Sequence, residues 1–372
     1  MRVAIRVSPL LALLPVAATA TLLCAQPIVE PTPTPAPTAP FKIGGYAEVF
    51  ASHNFNDPAN GITQSRGFDA REDRLSIDNL AVDASATVGR FNGKLTLQAG
   101  LTPDTYYAAE PGDRAWRHVQ QAFAGYNAPV GNGLLIEGGI FLSPIGPEGI
   151  AVKDNGSWSR SDLFFGLPFY HAGVRVTYPL SASATAMVMV TNGWNDVKDN
   201  NGSKALMLQL LLKGPKGLEA SVLYMGGSER PTGSSEGQPW RNLLDTWWRW
   251  KATDGLALMV HADGGFEENA FGRSSWVTGA LYGRYALRPV LSLAARGDVF
   301  WESVPAGAAP IFWSGASRVA SATLTVDVRP FPDHLAVMLE ARRDWATAGL
   351  YFEGTGTARA QTTVTLGVTG WF

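Results

Sequence analysis

The chain has 372 residues, of which 17% are charged and 40 are glycine, and its mean hydropathy is 0.00. Charge this sparse falls below the usual quarter for a soluble domain, yet after the amino terminus no run of about eighteen uncharged apolar residues occurs, which argues against a helical membrane protein. The formal net charge of -2 comes with no basic patch for nucleic acid, and the single cysteine, Cys24, excludes an intrachain disulfide.

The first residues read as a secretory signal peptide. Arg2 and Arg6 supply a positive start, Val7 to Ala18 the apolar core, and Ala18-Thr19-Ala20 a small-x-small cleavage site, with Ala25 a second candidate end. A lipoprotein is disfavoured because Leu23 stands where the residue before a lipidated cysteine is small. Residues 27 to 40, PIVEPTPTPAPTAP, alternate proline into a stiff extended linker that cannot join a sheet. It reads as a periplasmic spacer.

From Phe41 onward, segments of about ten residues alternate apolar and polar positions, the period of a strand with two different surroundings on its two faces. The first is 41–52, with Ile43, Ala47 and Val49 on one face and Lys42, Tyr46 and Glu48 on the other. The second, 74–88, turns Leu80, Val82, Ala84, Ala86 and Val88 outward and Asn79, Asp83, Ser85 and Thr87 inward. The pattern continues through 94–101, 117–127, 134–143, 169–178, 183–192, 204–213, 218–226, 242–251, 256–264, 275–286, 290–302, 317–329, 335–345 and 361–372. That gives sixteen strands, an even number suited to a closed antiparallel barrel with both ends on one side. The connections alternate in length. Short ones carry turn residues, as in Gly131-Asn132-Gly133 and Asp254-Gly255. Long ones are expected at 53–73, 102–116, 144–168, 193–203, 227–241, 265–274, 303–316 and 346–360. Short periplasmic turns and long extracellular loops are the asymmetry of an all-β transmembrane barrel.

Lipid offers no hydrogen-bond partner to an open sheet edge, so strand 361–372 is expected to pair with strand 41–52. That last strand, QTTVTLGVTGWF, alternates cleanly and ends on Phe372. It looks like the signal through which outer-membrane barrels engage their assembly machinery. Trp116, Tyr170, Tyr178, Trp194, Trp240, Trp301, Trp345, Trp371 and Phe372 fall near strand ends, where an interfacial aromatic girdle belongs.

A barrel of this size encloses a channel or a plug, and only the proline-rich stretch precedes its first strand. The longest connection, 144–168, carries Glu148, Lys153, Asp154, Arg160 and Asp162, with Trp158 between them. Folded into the lumen, these charges would line a constriction with a transverse field that sorts small hydrophilic solutes; left outside, they belong to a solvated loop. On the wall, Glu340, Arg342 and Asp344 oppose Leu335, Val337 and Leu339. Arg175 opposes Val174 and Val176, Glu137 opposes Leu134 and Ile136, and Asp327 and Arg329 share the phase of Thr323 and Thr325. A charge on the lipid face near the midplane would cost about 2–4 kcal/mol, so these residues face inward, either lining the pore or pairing with one another. The acid excess favours cations and the inward arginines favour anions, so the sign of selectivity stays open, as does the choice between monomer and trimer.

Enzyme chemistry finds little support. His53, His118, His171, His261 and His334 are scattered without metal-ligand spacing or a nucleophile motif. His171 with Ser159 or Ser161 is the one conceivable pair, and Asp196, Asp199 and Asn200 read as a solvated loop before they read as a cation site. No cofactor is expected.

Four stretches resemble the OmpL-like outer-membrane β-barrel porins. GGIFLSPIGPEGI (138–150) is similar to that family's strand ending in Phe, followed by Pro and a Gly-x-Glu turn. SWSRSDLFFGLPFYHAGVRVTYPL (157–180) is similar to its Ser-Arg-Ser element and His-x-Gly-x-Arg strand. VTNGWNDVKDNNGSKA (190–205) is similar to its Asn-Gly-Trp loop, and Glu340-x-Arg342-x-Asp344 with the Phe-terminated strand completes the likeness over 41–372. Pro147 within the Gly-x-Glu turn and the proline-rich leader depart from the pattern. The resemblance implies a porin-like barrel in the outer membrane, surrounded by its lipid and passing small solutes passively. A plugged barrel with a structural, adhesive or binding role is the alternative.

Overall fold

A computed structural model describes residues 40–108, 110, 114–313 and 315–372. The signal peptide and nearly all of the proline-rich linker lie outside the described residues. Sixteen strands form one closed antiparallel barrel: β1 (Phe41–Asn54), β2 (Leu75–Val88), β3 (Phe91–Ala99), β4 (Val119–Ala128), β5 (Leu134–Leu142), β6 (Tyr170–Ser181), β7 (Ala184–Thr191), β8 (Ala205–Gly214), β9 (Leu218–Ser228), β10 (Trp240–Lys251), β11 (Leu256–Asn269), β12 (Gly272–Arg288), β13 (Leu291–Ser303), β14 (Arg318–Phe331), β15 (Leu335–Ala346) and β18 (Ala360–Trp371). Each pairs with its neighbour in sequence, and β18 closes the ring on β1. The two small strands β16 (Tyr351–Glu353) and β17 (Gly356–Ala358) form a separate hairpin between β15 and β18.

The closing seam runs from Tyr46 opposite Trp371 to Asn54 opposite Thr363. Gly45 and Phe372 exchange two backbone hydrogen bonds of 3.1 and 3.3 Å, so the last residue takes part in closure. The phases follow the side-chain pattern. Along β18, Gln361, Thr363, Thr365 and Thr369 are buried in the barrel while Leu366 and Val368 are exposed on the outer wall. Along β2 the alternation breaks once. A bulge opposite Glu48 and Val49 turns both Asp78 and Asn79 inward and leaves Ile77 exposed.

The short connections gather at one rim and most of the long ones at the other. The connection between β2 and β3 is a two-residue turn, 89–90, because Phe91 and Asn92 pair with Val88 and Thr87. The loop expected at 265–274 shrinks to 270–271: β11 and β12 keep pairing to Asn269 and Gly272, and Asn269 Oδ1 accepts the Phe271 N–H at 2.9 Å across the turn. The connection after β3 contains a helix, α1 (Leu101–Tyr106), whose Thr102 hydroxyl donates to Asp78 at 2.7 Å.

Aromatic placement agrees with the girdle in part. Trp116, Trp240, Trp301, Trp345 and Phe372 are exposed on the outside. Tyr170 and Trp194 are not; they pack into the interior against Tyr107 and Trp276. A strand end near a rim can turn its aromatic either way, and the interior here is full enough to hold one.

Candidate functional site: the segment folded into the lumen

The connection between β5 and β6 leaves the wall at Ser143 and rejoins it at Phe169. Between those points it lies inside the barrel. Its short helix α2 (Asp162–Phe165) starts because Ser161 Oγ caps the Phe164 N–H at 3.2 Å, and four charged wall residues set mid-strand hold the rest. The Val152 N–H donates to Glu48 on β1 at 2.6 Å, and the Gly146 N–H to Asp245 on β10 at 3.2 Å. The Asp162 N–H donates to Asp298 on β13 at 3.1 Å, and the Trp158 and Ser159 N–H groups to Glu340 on β15 at 2.7 and 3.1 Å. A carboxylate accepting backbone N–H groups makes a strong charge-assisted bond, so irregular backbone inside the barrel is satisfied by the wall.

Two cations complete this seam. Arg296 donates to Glu148 at 3.2 Å, Asp298 at 3.1 Å and the Ser159 carbonyl at 2.6 Å. Arg342 donates to Asp344 at 2.6 Å and Asp162 at 2.7 Å, and also meets the Arg160 carbonyl. Arg160 itself turns back on its own segment. It donates to the carbonyls of Gly149 at 3.1 Å, Trp158 and Ile150, and lies over the Phe68 ring. Glu148 also accepts the Ser161 N–H at 3.1 Å and the Tyr282 hydroxyl at 3.0 Å. Arg66, from the connection after β1, reaches Asp344 at 3.4 Å and Thr363 at 2.7 Å.

The opposite side of the segment is held by apolar contact. Met187 and Met189 of β7, Met207 of β8, and Leu223 and Met225 of β9 all face inward and form one buried cluster with Ile145 and Leu167. Methionine's flexible thioether fits an irregular backbone well. Trp158 is fully buried against Phe50, Val152, Ala336 and Met338, with its ring lying on Gly367 of β18.

The structure thus divides the expected residues. Glu148, Arg160, Asp162, Glu340, Arg342 and Asp344 come together in the buried seam between segment and wall. Glu137 and Arg175 pair on the β5–β6 wall at 2.6 Å, with Arg175 partly exposed and its guanidinium over Phe141. Asp327 lies apart, held by Arg284 at 2.7 Å and Arg329 at 3.0 Å. Lys153 and Asp154 pair at 2.8 Å and remain partly exposed. Beneath the segment a cavity of about 280 Å³ is lined by Glu148, Lys153, Asp154, Arg249, Arg284 and Arg329.

A family model described as Putative beta-barrel porin-2, OmpL-like, matches residues 40–372. The chain belongs to this family. Among solved structures, this OmpL-like barrel is similar to the outer membrane channel DcaP of Acinetobacter baumannii, at 16% identity and a TM-score of 0.57, covering 89% of this chain and 97% of that one. It is also similar to an anion-selective porin from Comamonas acidovorans, at 12% identity and a TM-score of 0.59, covering 89% and 99%. A third likeness is OmpT of Vibrio cholerae, at 12% identity and a TM-score of 0.56, covering 89% and 97%. At these identities the likeness establishes the barrel fold. No curated protein matches the chain.

Sequence reasoning on the OmpL-like chain missed Arg296 and Asp298, the centre of the seam. The signal was present: Arg296 and Asp298 alternate with Ala295, Gly297 and Val299, which places both inward. It also missed a buried group in which Asp245 and Asp263 sit directly across from each other and His261 Nε2 donates to Asp245 at 2.6 Å. His171 does not meet Ser159 or Ser161. Its ring bonds the Gly193 carbonyl at 3.0 Å and Ser143 Oγ at 3.1 Å, so a carbonyl rather than a carboxylate occupies its second nitrogen. Asp196 bonds Asn200, and Asp199 is taken by turn N–H groups and Lys204.

Proposed function

We propose that this chain is an outer-membrane porin, a non-catalytic passive diffusion channel for small hydrophilic solutes or ions, narrowed by segment 144–168. The observation that carries the reading is the segment itself, which crosses the interior of a sixteen-stranded barrel and is tied to charged residues at mid-height on the far wall. An apolar outer wall with polar, hydrogen-bonded residues inside suits a barrel surrounded by lipid. In that placement the short connections are periplasmic turns, the long ones extracellular loops, and Phe372 the end that the assembly machinery engages. A solute would meet Lys153, Asp154, Arg175, Arg284 and Arg329, the partly exposed charges, while the seam of Glu148, Arg160, Asp162, Glu340, Arg342 and Asp344 sets the position of the constriction. Buried ion networks of this kind specify a conformation more than they stabilise it.

A second reading, a closed barrel with a structural, adhesive or binding role, is favoured by one observation: Trp158, Ser161 and Leu163 are 0% exposed, so part of the segment is packed as a stopper. Single-channel conductance of the refolded protein in a planar bilayer separates the two. Discrete open-channel steps, of the kind a water-filled passage lined by charged side chains supports, are the expected result. A folded barrel that stays electrically silent overturns the channel and leaves the stopper.

A further inference from the structure

We propose that the outer wall across β11–β15 binds an acylated lipid with an anionic phosphate headgroup, the acyl chain in a trough of small residues and the phosphate on Arg318 and Arg343. Across β11–β15 small outward residues run on a diagonal: Ala262 lies opposite Gly279 and Gly297 opposite Ala322, Gly297 and Ala341 sit two places from the partners of Gly279 and Ala322, and a side chain built on Gly279 or Gly297 meets nothing within 4 Å. The result is a depression of about 1280 Å³ on the outer face, bounded by Trp248, Leu281, Trp301 and Leu324. At the end towards the long loops it runs up to Arg343, and a smaller hollow of about 390 Å³ beyond holds Arg318 between Trp301 and Trp345.

The charges select the occupant. Arg343 is exposed on the outer face, donates to Thr362 at 2.7 Å and lies beside Trp345; the Arg318 side chain is exposed as well. Neither meets a carboxylate among the described residues, whereas the inward arginines of the seam are paired. A second copy of the chain would have to supply an acid. Among the described residues of the sixteen barrel strands, Glu268 is the carboxylate at an outward position, and Arg273 already holds it. A phosphate supplies the missing anion in a geometry that guanidinium binds with two parallel hydrogen bonds. Four strand residues, about 13 Å, separate the two arginines along the wall, with Trp345 between them at the level where aromatic rings anchor in headgroups. Basic sites of this kind next to an apolar wall recognise anionic lipids.

The proposal rests on the membrane placement of the barrel, not on conduction. The test titrates the full-length refolded barrel in zwitterionic micelles with phosphatidylglycerol, with phosphatidylcholine as the control, and reads bound lipid by native mass spectrometry. The expected result is phosphatidylglycerol adducts favoured by about tenfold over phosphatidylcholine. The preference should be lost in Arg318→Gln/Arg343→Gln, and both adducts should weaken in Gly297→Phe, which fills the trough. Equal adducts for the two lipids, or a preference that survives the double substitution, overturns it. So does a lipid-free oligomer whose contact Gly297→Phe abolishes, which assigns the trough to a second copy. A silent barrel that keeps the lipid preference sinks the channel and leaves this site standing, whereas a conducting barrel without the preference does the reverse.

Discussion

The lumen segment leans on a position with no side chain, and that makes Gly367→Ala the sharpest perturbation. Gly367 faces inward on β18, directly beneath Trp158, and an added Cβ would lie 2.1 Å from the indole Cε3 and 2.2 Å from Cζ3. Carbon atoms rest at about 3.5–4.0 Å, so the ring must retreat by about 1.5 Å. It has nowhere to go within its socket, because Phe50, Val152, Ala336 and Met338 behind it are at most 1% exposed, and Glu340 holds the Trp158 N–H at 2.7 Å. Overpacking of a filled interior costs about 1–3 kcal/mol, and complete loss of a buried tryptophan about 3–5 kcal/mol, so the segment moves by the cheaper route. An intrinsic gain of about 0.5–1 kcal/mol for replacing glycine in a strand offsets part of this. The docked segment should lose about 1–3 kcal/mol relative to a displaced one, roughly a 5- to 150-fold shift in that equilibrium. In the planar bilayer this reads as larger and noisier conductance steps, and in urea as a lower unfolding midpoint. Trp158→Ala in the same chain removes the clash, so a double-mutant cycle should return a coupling of about 1–3 kcal/mol. Unchanged conductance and midpoint in Gly367→Ala, or an effect that persists without Trp158, would refute the seating of the segment on β18.

Other substitutions test the remaining parts. Arg342→Gln leaves Asp162 and Asp344 buried without their shared cation, and should lower unfolding stability by about 3–5 kcal/mol in lipid, more than Glu340→Gln at the same seam. Val188, 44% exposed in the middle of β7, should cost about 2–4 kcal/mol as Val188→Arg, read by urea unfolding in bilayers; a neutral result would place that face in water. Arg175→Gln frees the Glu137 carboxylate towards the lumen and should move the salt-gradient reversal potential towards cations, by about 1 kcal/mol of interaction or up to fivefold in permeability ratio in a water-filled passage. Burial, with Glu229, Glu110 and Asp199 nearby, raises the Asp196 carboxyl from 3.8 to about 7. The folded loop therefore binds a proton that the unfolded chain does not between those values, so its stability rises as pH falls through that window. Hydrogen exchange of residues 192–204 should be slower at pH 5 than at pH 8 after correction for intrinsic rates, and Asp196→Asn should abolish the difference.

The strands were legible because each face has its own chemistry. In β18 Thr363, Thr365 and Thr369 fall on one side and Val364, Leu366 and Val368 on the other, and such a segment has only one way to stand between an apolar exterior and the lumen. The inward phases of Glu340, Arg342, Asp344 and Arg175 followed from the same reasoning. The segment 144–168 was legible as a candidate for the interior from its length and charge. What escaped is where two faces look alike. In β8, Leu206, Met207, Leu208 and Leu210 are all apolar, and nothing in that run says that Met207 faces an apolar interior. A polar lumen is the ordinary expectation, and the methionine wall departs from it because a packed segment, not water, lies against it. The pairing of charges was hidden for another reason. Arg296 and Glu148 are 148 positions apart, and no local pattern joins them.

That distance along the chain has a consequence for assembly. The segment follows five strands in the chain, but the charged side of its seat lies largely on β13, β15 and β18, the last strands in sequence. Contacts between residues 158 and 340, or 162 and 342, cannot form until nearly the whole polypeptide is in place. Long-range closure of this kind is slow, since chain entropy is lost before the contacts return it. A nascent barrel therefore has an unfinished seat and an unpaired edge at the same time, and the strand that ends in Phe372 resolves both together: it seals the sheet against β1 and supplies Gly367 as the floor on which Trp158 comes to rest.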